Sequence, residues 1–167
     1  MTAEEIKQYL SELNDELRSK DINGEISLYG GAVMVLAFNT RVATKDIGAV
    51  FQPVKEIRNA AHMVAERHQL PLDWLNHAVR MFVVKHKREL LFELSNLRVT
   101  VPESDYLLAM KILALRAETE DENDAMFLIK ELGLDSKSAV LKIVADYYPR
   151  KEVSPKTVTW LDEYFSK

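Results

Sequence analysis

Three groups of residues in this chain have types and spacings that can carry chemistry. The first is Gly30-Gly31, which follows a short alternating segment at 25–29 and precedes an apolar run at 32–38. A glycine pair between a strand and a helix lets backbone approach a phosphate closely and offers it the N–H groups of a helix start. The same pair also serves as an ordinary tight turn. The second is Asp46, which opens another alternating segment at 45–51, so that strand, glycine pair, helix and acidic strand form one unit. Arg41 lies beside the loop after the helix and is a further candidate phosphate contact. The third lies far along the chain. Lys111 sits among Leu107, Leu108, Ile112, Leu113 and Leu115, where a lysine typically lays its stem on apolar surface and extends its ammonium to water. Asp121 and Asp124 are one helical turn apart, and acids in a first turn complement the helix dipole.

The elements that must position these groups follow from periodicity. Residues 2–20 place Ile6, Leu10, Leu13 and Leu17 on one helical face, with Thr2 and Glu5 spaced as a capping box. A strand at 25–29, a short buried helix and a strand at 45–51 come next, closed by Pro53. Val54, Ile57, Ala61, Val64, Ala65 and His68 form a stripe that predicts a helix over 54–69, ending before Pro71. Leu75, Ala78, Val79 and Phe82 predict another helix over 72–84. Segments 89–94 and 97–101 read as strands. Beyond Pro102 the period is helical throughout, predicting helices over 105–117, 121–132, 137–147 and 155–165. Their start signals are Ser104, the pair Thr119 and Glu122 spaced as a capping box, and Ser154 with Pro155, while Gly133 is a stop. Trp74 and Trp160 fall at core spacings, and His68 closes an apolar stripe.

Composition excludes several classes. The 167 residues contain no cysteine, which removes disulfides, thiolate metal sites and cysteine nucleophiles and makes a reducing, cytoplasmic setting the expectation. The longest charge-free stretch, 26–40, has 15 residues and a central glycine pair, short of the ~20 needed to span a bilayer, so no membrane partner is expected. Glu4 and Glu5 stand where an export signal would be basic. The 22 Lys and Arg against 26 Asp and Glu give a net charge of −4, but five of those acids lie in residues 118–124. The rest of the chain is close to neutral, so acidity is no argument against a phosphate-bearing ligand. Neither a GxSxG elbow nor a GxxxxGK[ST] loop occurs, and the histidines at 62, 68, 77 and 86 lack zinc spacing. The basic run 85–88 reads as a solvated connection.

On Tyr29-Gly30-Gly31-Ala32, then Arg41, Thr44, Asp46-Ile47 and Phe51, then Asp73-Trp74-Leu75-Asn76, then Leu107-Leu108-Ala109-Met110-Lys111 with Arg116, Asp121 and Asp124, and finally Tyr147-Tyr148-Pro149, the chain resembles the nucleotidyltransferase-fold proteins. More closely it is similar to a bacterial branch related to AbiEii-type abortive-infection toxins. The resemblance implies an α/β (α+β) fold: a nucleotidyltransferase-like mixed-sheet core over 1–101, with a helical region over 102–167 packed on it. It implies a nucleoside triphosphate with Mg²⁺, transfer of a nucleotidyl group to an RNA or protein hydroxyl, and a toxin–antitoxin partner. Gly30, Gly31, Arg41 and Thr44 would hold the nucleotide and Asp46 the metal. Lys111 would offset leaving-group charge, and Asp124 and Asp121 would complete the catalytic set.

One departure bears on all of this. The family strand carries acid, apolar, acid, and side chains two apart face the same way, so both acids converge on one site. Here the second acid is replaced by Gly48, and the acid that the branch carries after Trp-Leu-Asn is replaced by His77. Two-metal phosphoryl transfer needs ligands for both ions. Either Glu93, Asp73 or an acid of the helical half completes the site in space, or the protein is a non-catalytic binding or regulatory module. A third reading is an interaction protein whose helical half is the working surface.

Overall fold

A computed structural model describes residues 1–116 and 119–167. The chain divides into two units, the first made of Met1–Val83 with Arg88–Pro102 and the second of Val84–Lys87 with Glu103–Lys167. The fold class is mixed α/β, as expected: among the described residues there are seven α-helices and one five-stranded sheet. No described helix is long and apolar enough to cross a membrane.

The first unit runs α1 (Ala3–Ser19), β1 (Gly24–Tyr29), α2 (Gly31–Leu36), β2 (Ile47–Gln52), α3 (Val54–His68), β3 (Leu75–Asn76), β4 (Arg88–Glu93) and β5 (Leu97–Pro102). The strand order is β3-β2-β1-β5-β4. β1 is antiparallel to β2 and parallel to β5, β3 is parallel to β2, and β4 is antiparallel to β5. α1 has its capping box, Thr2 Oγ1 accepting from Glu5 N–H and Glu5 accepting from Thr2 N–H. Its expected apolar stripe, Ile6, Leu10, Leu13 and Leu17, is fully buried and packs against α3. Arg67 of α3 bridges Glu12 and Glu16 of α1, and His68, at the end of its stripe, contacts Glu12 at 2.7 Å. Trp74 packs edge-on against Tyr9 and donates its indole N–H to the Ala61 carbonyl at 2.9 Å. At its start the chain is tied inward: Thr2 bridges to Ala43, and Thr44 N–H donates to the Met1 carbonyl at 2.9 Å.

The helix expected over 72–84 does not form. Leu75 and Asn76 pair with Ile47 and Gly48 as the edge strand β3, and one 3-10 turn, Ala78–Met81, follows. Asn76 Oδ1 accepts from Ala78 N–H and so starts that turn. The helical spacing of apolar residues misled because they do not share one environment. Leu75 is buried by the sheet, whereas Met81 is 87% and Phe82 60% exposed. A parallel strand pair made by residues about 28 positions apart outweighs local periodicity here.

The second unit contains α4 (Ser104–Ala114), α5 (Glu120–Glu131), α6 (Lys137–Tyr147) and α7 (Pro155–Ser166). α4 packs on α5 and α6, and α6 on α7. α4 stops at Ala114 rather than near 117, and Ala117, like Glu118 of the acidic segment, lies outside the described residues. Ser104 is the first residue of α4 and not its cap, which is Glu103 without a side-chain bond. The expected Thr119/Glu122 capping box is also absent: Thr119 Oγ1 accepts from Asp121 N–H, and Glu122 N–H goes to the Thr119 carbonyl. Ser154 with Pro155 starts α7 as expected. Gly133, at φ 65°, ends α5 with the paired bonds Leu134 N–H to Ile129 O and Gly133 N–H to Lys130 O. Trp160 is half-buried and stacks on Tyr164.

Residues 84–87 belong to this unit because of Tyr106. Its hydroxyl accepts from Val84 N–H and contacts the Tyr148 hydroxyl at 2.6 Å, and its ring stacks on His86 at 3.9 Å. The basic run is therefore not wholly a solvated connection. Tyr147 donates to Asp105 at 2.8 Å, and its pKa is pushed up to about 12 by burial and by that hydrogen bond.

Trp74, next to β3, anchors that strand to the middle of α3. Trp74→Ala is expected to destabilise the protein by about 3–5 kcal/mol. Trp74→Phe, which keeps a ring but loses the donor, should cost about 1–3 kcal/mol. Urea unfolding followed by circular dichroism checks both.

Candidate functional site

The residues singled out in the first unit meet at one corner of the sheet. β1 ends at Tyr29, and the chain turns through Gly30, whose φ of 65° is the left-handed conformation that favours glycine. Gly31 then begins α2. A Cβ on Gly31 would lie 2.7 Å from Arg41 Nη1 and 2.9 Å from Thr44 Oγ1, so both side chains fold back over the turn into space that only glycine leaves. Thr44 Oγ1 donates to the Asp46 carbonyl at 3.1 Å, which ties the loop to the start of β2. Asp46 is exposed, one residue before β2 begins. The structure thus brings Gly31, Arg41, Thr44 and Asp46 together, with Gly30 supplying the turn.

The surroundings of Asp46 decide what it can hold. Along β2, Ile47, Ala49 and Phe51 are buried while Gly48 and Val50 are half-buried, so positions 46, 48 and 50 share the opposite face. Gly48 is flanked in register by Tyr29 of β1 and Asn76 of β3. A Cβ there would meet nothing within 4 Å. Asn76 Nδ2 lies 3.4 Å from Asp46 Oδ2 and also donates to the Asp73 carbonyl. Because Asn76 Oδ1 is taken by Ala78 N–H, the amide presents a donor and not an acceptor to the carboxylate. His77 stacks on Phe51 at 5.2 Å, with Nε2 2.6 Å from Arg58 Nη2.

Glu93 cannot join this corner. It lies on β4, three strands from β2, about 14 Å at the usual strand spacing. Its register runs through Arg98 and Glu25 to Gln52, the opposite end of β2 from Gly48. Among the described residues, no three histidine, aspartate or glutamate side chains come close enough together to hold a metal ion. The donor set beside Asp46 is a bare glycine and an amide donor, which does not fit a pair of divalent ions. Asn76 is the contact that sequence reasoning left without a role. Its signal is the parallel pairing of β3, hidden beneath the helical spacing of 72–84.

No protein-family model, curated protein or solved structure matches this chain. The resemblance to nucleotidyltransferases rests on its motifs alone.

Lys111, Asp121 and Asp124 come together in the second unit. Lys111 is 8% exposed, with Nζ 2.7 Å from Asp124 Oδ2 and 3.3 Å from Asp121 Oδ1. Arg116 Nε contacts Asp121 Oδ2 at 3.1 Å. Lys111 therefore does not extend to water as its apolar neighbours suggested, and the two acids do more than complement a helix dipole: they turn inward and neutralise it. Arg116 shares the Asp121 target with Lys111, although an ideal helix would separate them by about 140°. The angle does not apply because α4 ends two residues before Arg116. Burial alone would raise the Asp121 carboxyl. The hydrogen bond from Arg116 and the charge and hydrogen bond of Lys111 outweigh burial and hold it below its ordinary 3.8.

Removing one member of a buried ion pair leaves the other uncompensated. Lys111→Met is expected to cost about 3–5 kcal/mol, and Lys111→Met with Asp124→Leu to recover part of it, as read from urea midpoints in a double-mutant cycle. The depressed Asp121 pKa adds a pH dependence to stability. Its contribution is complete above the ordinary aspartate value and is lost as pH falls through the lower native one. Asp121→Asn should accordingly flatten stability against pH below about pH 4.

Proposed function

We propose that the first unit is a nucleotidyltransferase-like module that binds the triphosphate of a nucleoside triphosphate at the Gly30-to-Asp46 corner and does not complete nucleotidyl transfer. The observation that carries this reading is the placement of the Arg41 guanidinium and the Thr44 hydroxyl over Gly31, beside a positive-φ glycine turn. A guanidinium pairs with phosphate through a planar fork of donors, and a hydroxyl adds a further donor. Glycine at both turn positions lets phosphate oxygens approach the backbone.

The transfer half of the expected activity has less to work with. Of the positions that share the β2 face and its β3 neighbour, only Asp46 carries a carboxylate, Gly48, Val50 and Asn76 being the others. In-line displacement with two ions requires charge neutralisation on both the attacking and the leaving oxygen. Binding of nucleotide by Arg41 and Thr44 requires neither. Transfer to an RNA or protein hydroxyl is therefore an outcome to be looked for and not the primary reading.

The four nucleoside triphosphates, titrated and followed by amide NMR shifts, are expected to perturb residues 29–46. Gly31→Ala places its methyl against the flexible end of Arg41, so the fold should survive while the corner is disrupted, lowering affinity about tenfold or more. Loss of the NMR response in Gly31→Ala and Arg41→Ala supports the reading. A response that persists in both variants refutes it. Incubation of labelled nucleoside triphosphate with an RNA and protein pool should leave no label on acceptors. Gly48→Asp, whose side chain enters open space, asks whether that one carboxylate restores transfer.

A further inference from the structure

We propose that a recess at the end of the sheet remote from the Gly30 corner binds an α-amino acid as its zwitterion, the ligand carboxylate meeting Arg98 and its ammonium meeting Glu93. The proposal is independent of the nucleotide-binding reading and concerns different residues. It is carried by two opposite charges that stand in direct register across β4 and β5, inside a cavity, and leave each other open.

The strand register sets one polar row across the sheet: Gln52 of β2, Glu25 of β1, Arg98 of β5 and Glu93 of β4. Direct cross-strand partners project from the same face, so the four side chains share one side. Together with Asn23 and Asn96 the row lines a recess of about 590 Å³. Small-molecule sites span roughly 300–1,000 Å³. One wall is tied in place by the protein itself. Asn96, in the turn between β4 and β5, donates its side-chain amide to the Ile22 carbonyl at 3.1 Å and to Asn23 Oδ1 at 3.2 Å, and its backbone N–H to Asn14 Oδ1 at 2.7 Å. Gly24 N–H in turn donates to the Asn96 carbonyl at 2.8 Å. A rim already held to α1 and to the start of β1 spares a ligand the entropy of ordering it.

Opposite charges directly across an antiparallel pair ordinarily close on each other. Arg98 and Glu93 do not: both are exposed, and neither makes an ion pair or a side-chain hydrogen bond among the described residues. Glu25 differs, because Arg88 lies 3.9 Å from it and answers part of its charge. The row thus presents one open cation and one open anion on strands about 4.8 Å apart. A ligand of a single sign gains from one of the two and loses to the other. A zwitterion gains from both. An α-amino acid carries its ammonium and carboxylate on one carbon, a separation suited to neighbouring strands and not to the width of the sheet. Arg98 can receive the carboxylate through paired N–H donors, and Gln52, at the far end of the row, offers a donor and an acceptor to a polar ligand side chain.

The test titrates the full chain with the coded L-amino acids, one at a time, and follows amide NMR shifts. Residues 23–25, 52 and 93–98 are expected to respond. For the amino acid that shifts them most, the N-acetyl form, which lacks the ammonium, and the methyl ester, which lacks the carboxylate, should each bind about tenfold or more weakly. Arg98→Gln and Glu93→Gln, at exposed positions where the fold is kept, should each lose about tenfold or more as well. No response of these residues to any amino acid at about 10 mM overturns the proposal. Equal binding of either blocked form overturns recognition of the zwitterion, and a response that persists unchanged in both variants overturns its placement on Arg98 and Glu93.

Discussion

A strand buried on both faces cannot leave a polar side chain unsatisfied, and β1, at the centre of the sheet, carries Ser27 at 1% exposure. The cost of stranding a hydroxyl there is of the order of 1–3 kcal/mol, comparable to the loss of a core side chain. Thr100 of β5 donates to the Ser27 oxygen at 2.9 Å, and Arg88 of β4 reaches over β5 to donate to it at 2.9 Å as well. Three strands are thereby held in one register by a polar contact and not by apolar shape alone. A slip of one residue would send Ser27 to the apolar face and bring Ile26 or Leu28 out of it. The same register sets Tyr29 opposite Gly48, and with it the place where the turn through Gly30 leaves the sheet.

Elements whose signals are local were legible in the sequence. α1 announced itself by its stripe and its Thr2/Glu5 cap, α7 by Ser154 and Pro155, and the end of α5 by Gly133, because each of these is a bond or a backbone angle made within a few residues. What could not be read was non-local. The helical spacing of 72–84 is genuine in the sequence and irrelevant in the protein, since β2 captures Leu75 and Asn76 by parallel pairing. The glycine pair was visible, but the reason that the second glycine must lack a side chain is the presence of Arg41 and Thr44 above it, ten and thirteen residues later. Exclusion of Glu93 required the strand order, which hydrophobic pattern does not encode.

Two clusters of charge show how burial separates roles that residue type alone leaves open. In the second unit, Lys111 and Asp124 are nearly inaccessible, and Lys111 is matched by two carboxylates within 3.3 Å. Such a lysine has its charge already answered, and its removal is felt first as lost stability. In the first unit, Asp46 is exposed at the start of an edge-proximal strand, where a carboxylate contributes little to stability. The motif blocks contain both groups, and their chemistry on paper is alike. Their environments are not.

The pairing of Thr2 with Ala43, and of the Met1 carbonyl with Thr44 N–H, links two features that are distant in sequence. Thr2 is both the cap of α1 and one side of an isolated β-bridge whose other side, Ala43, lies in the Arg41-to-Asp46 loop. Fraying at the first turn of α1 and loosening of that loop are consequently one event.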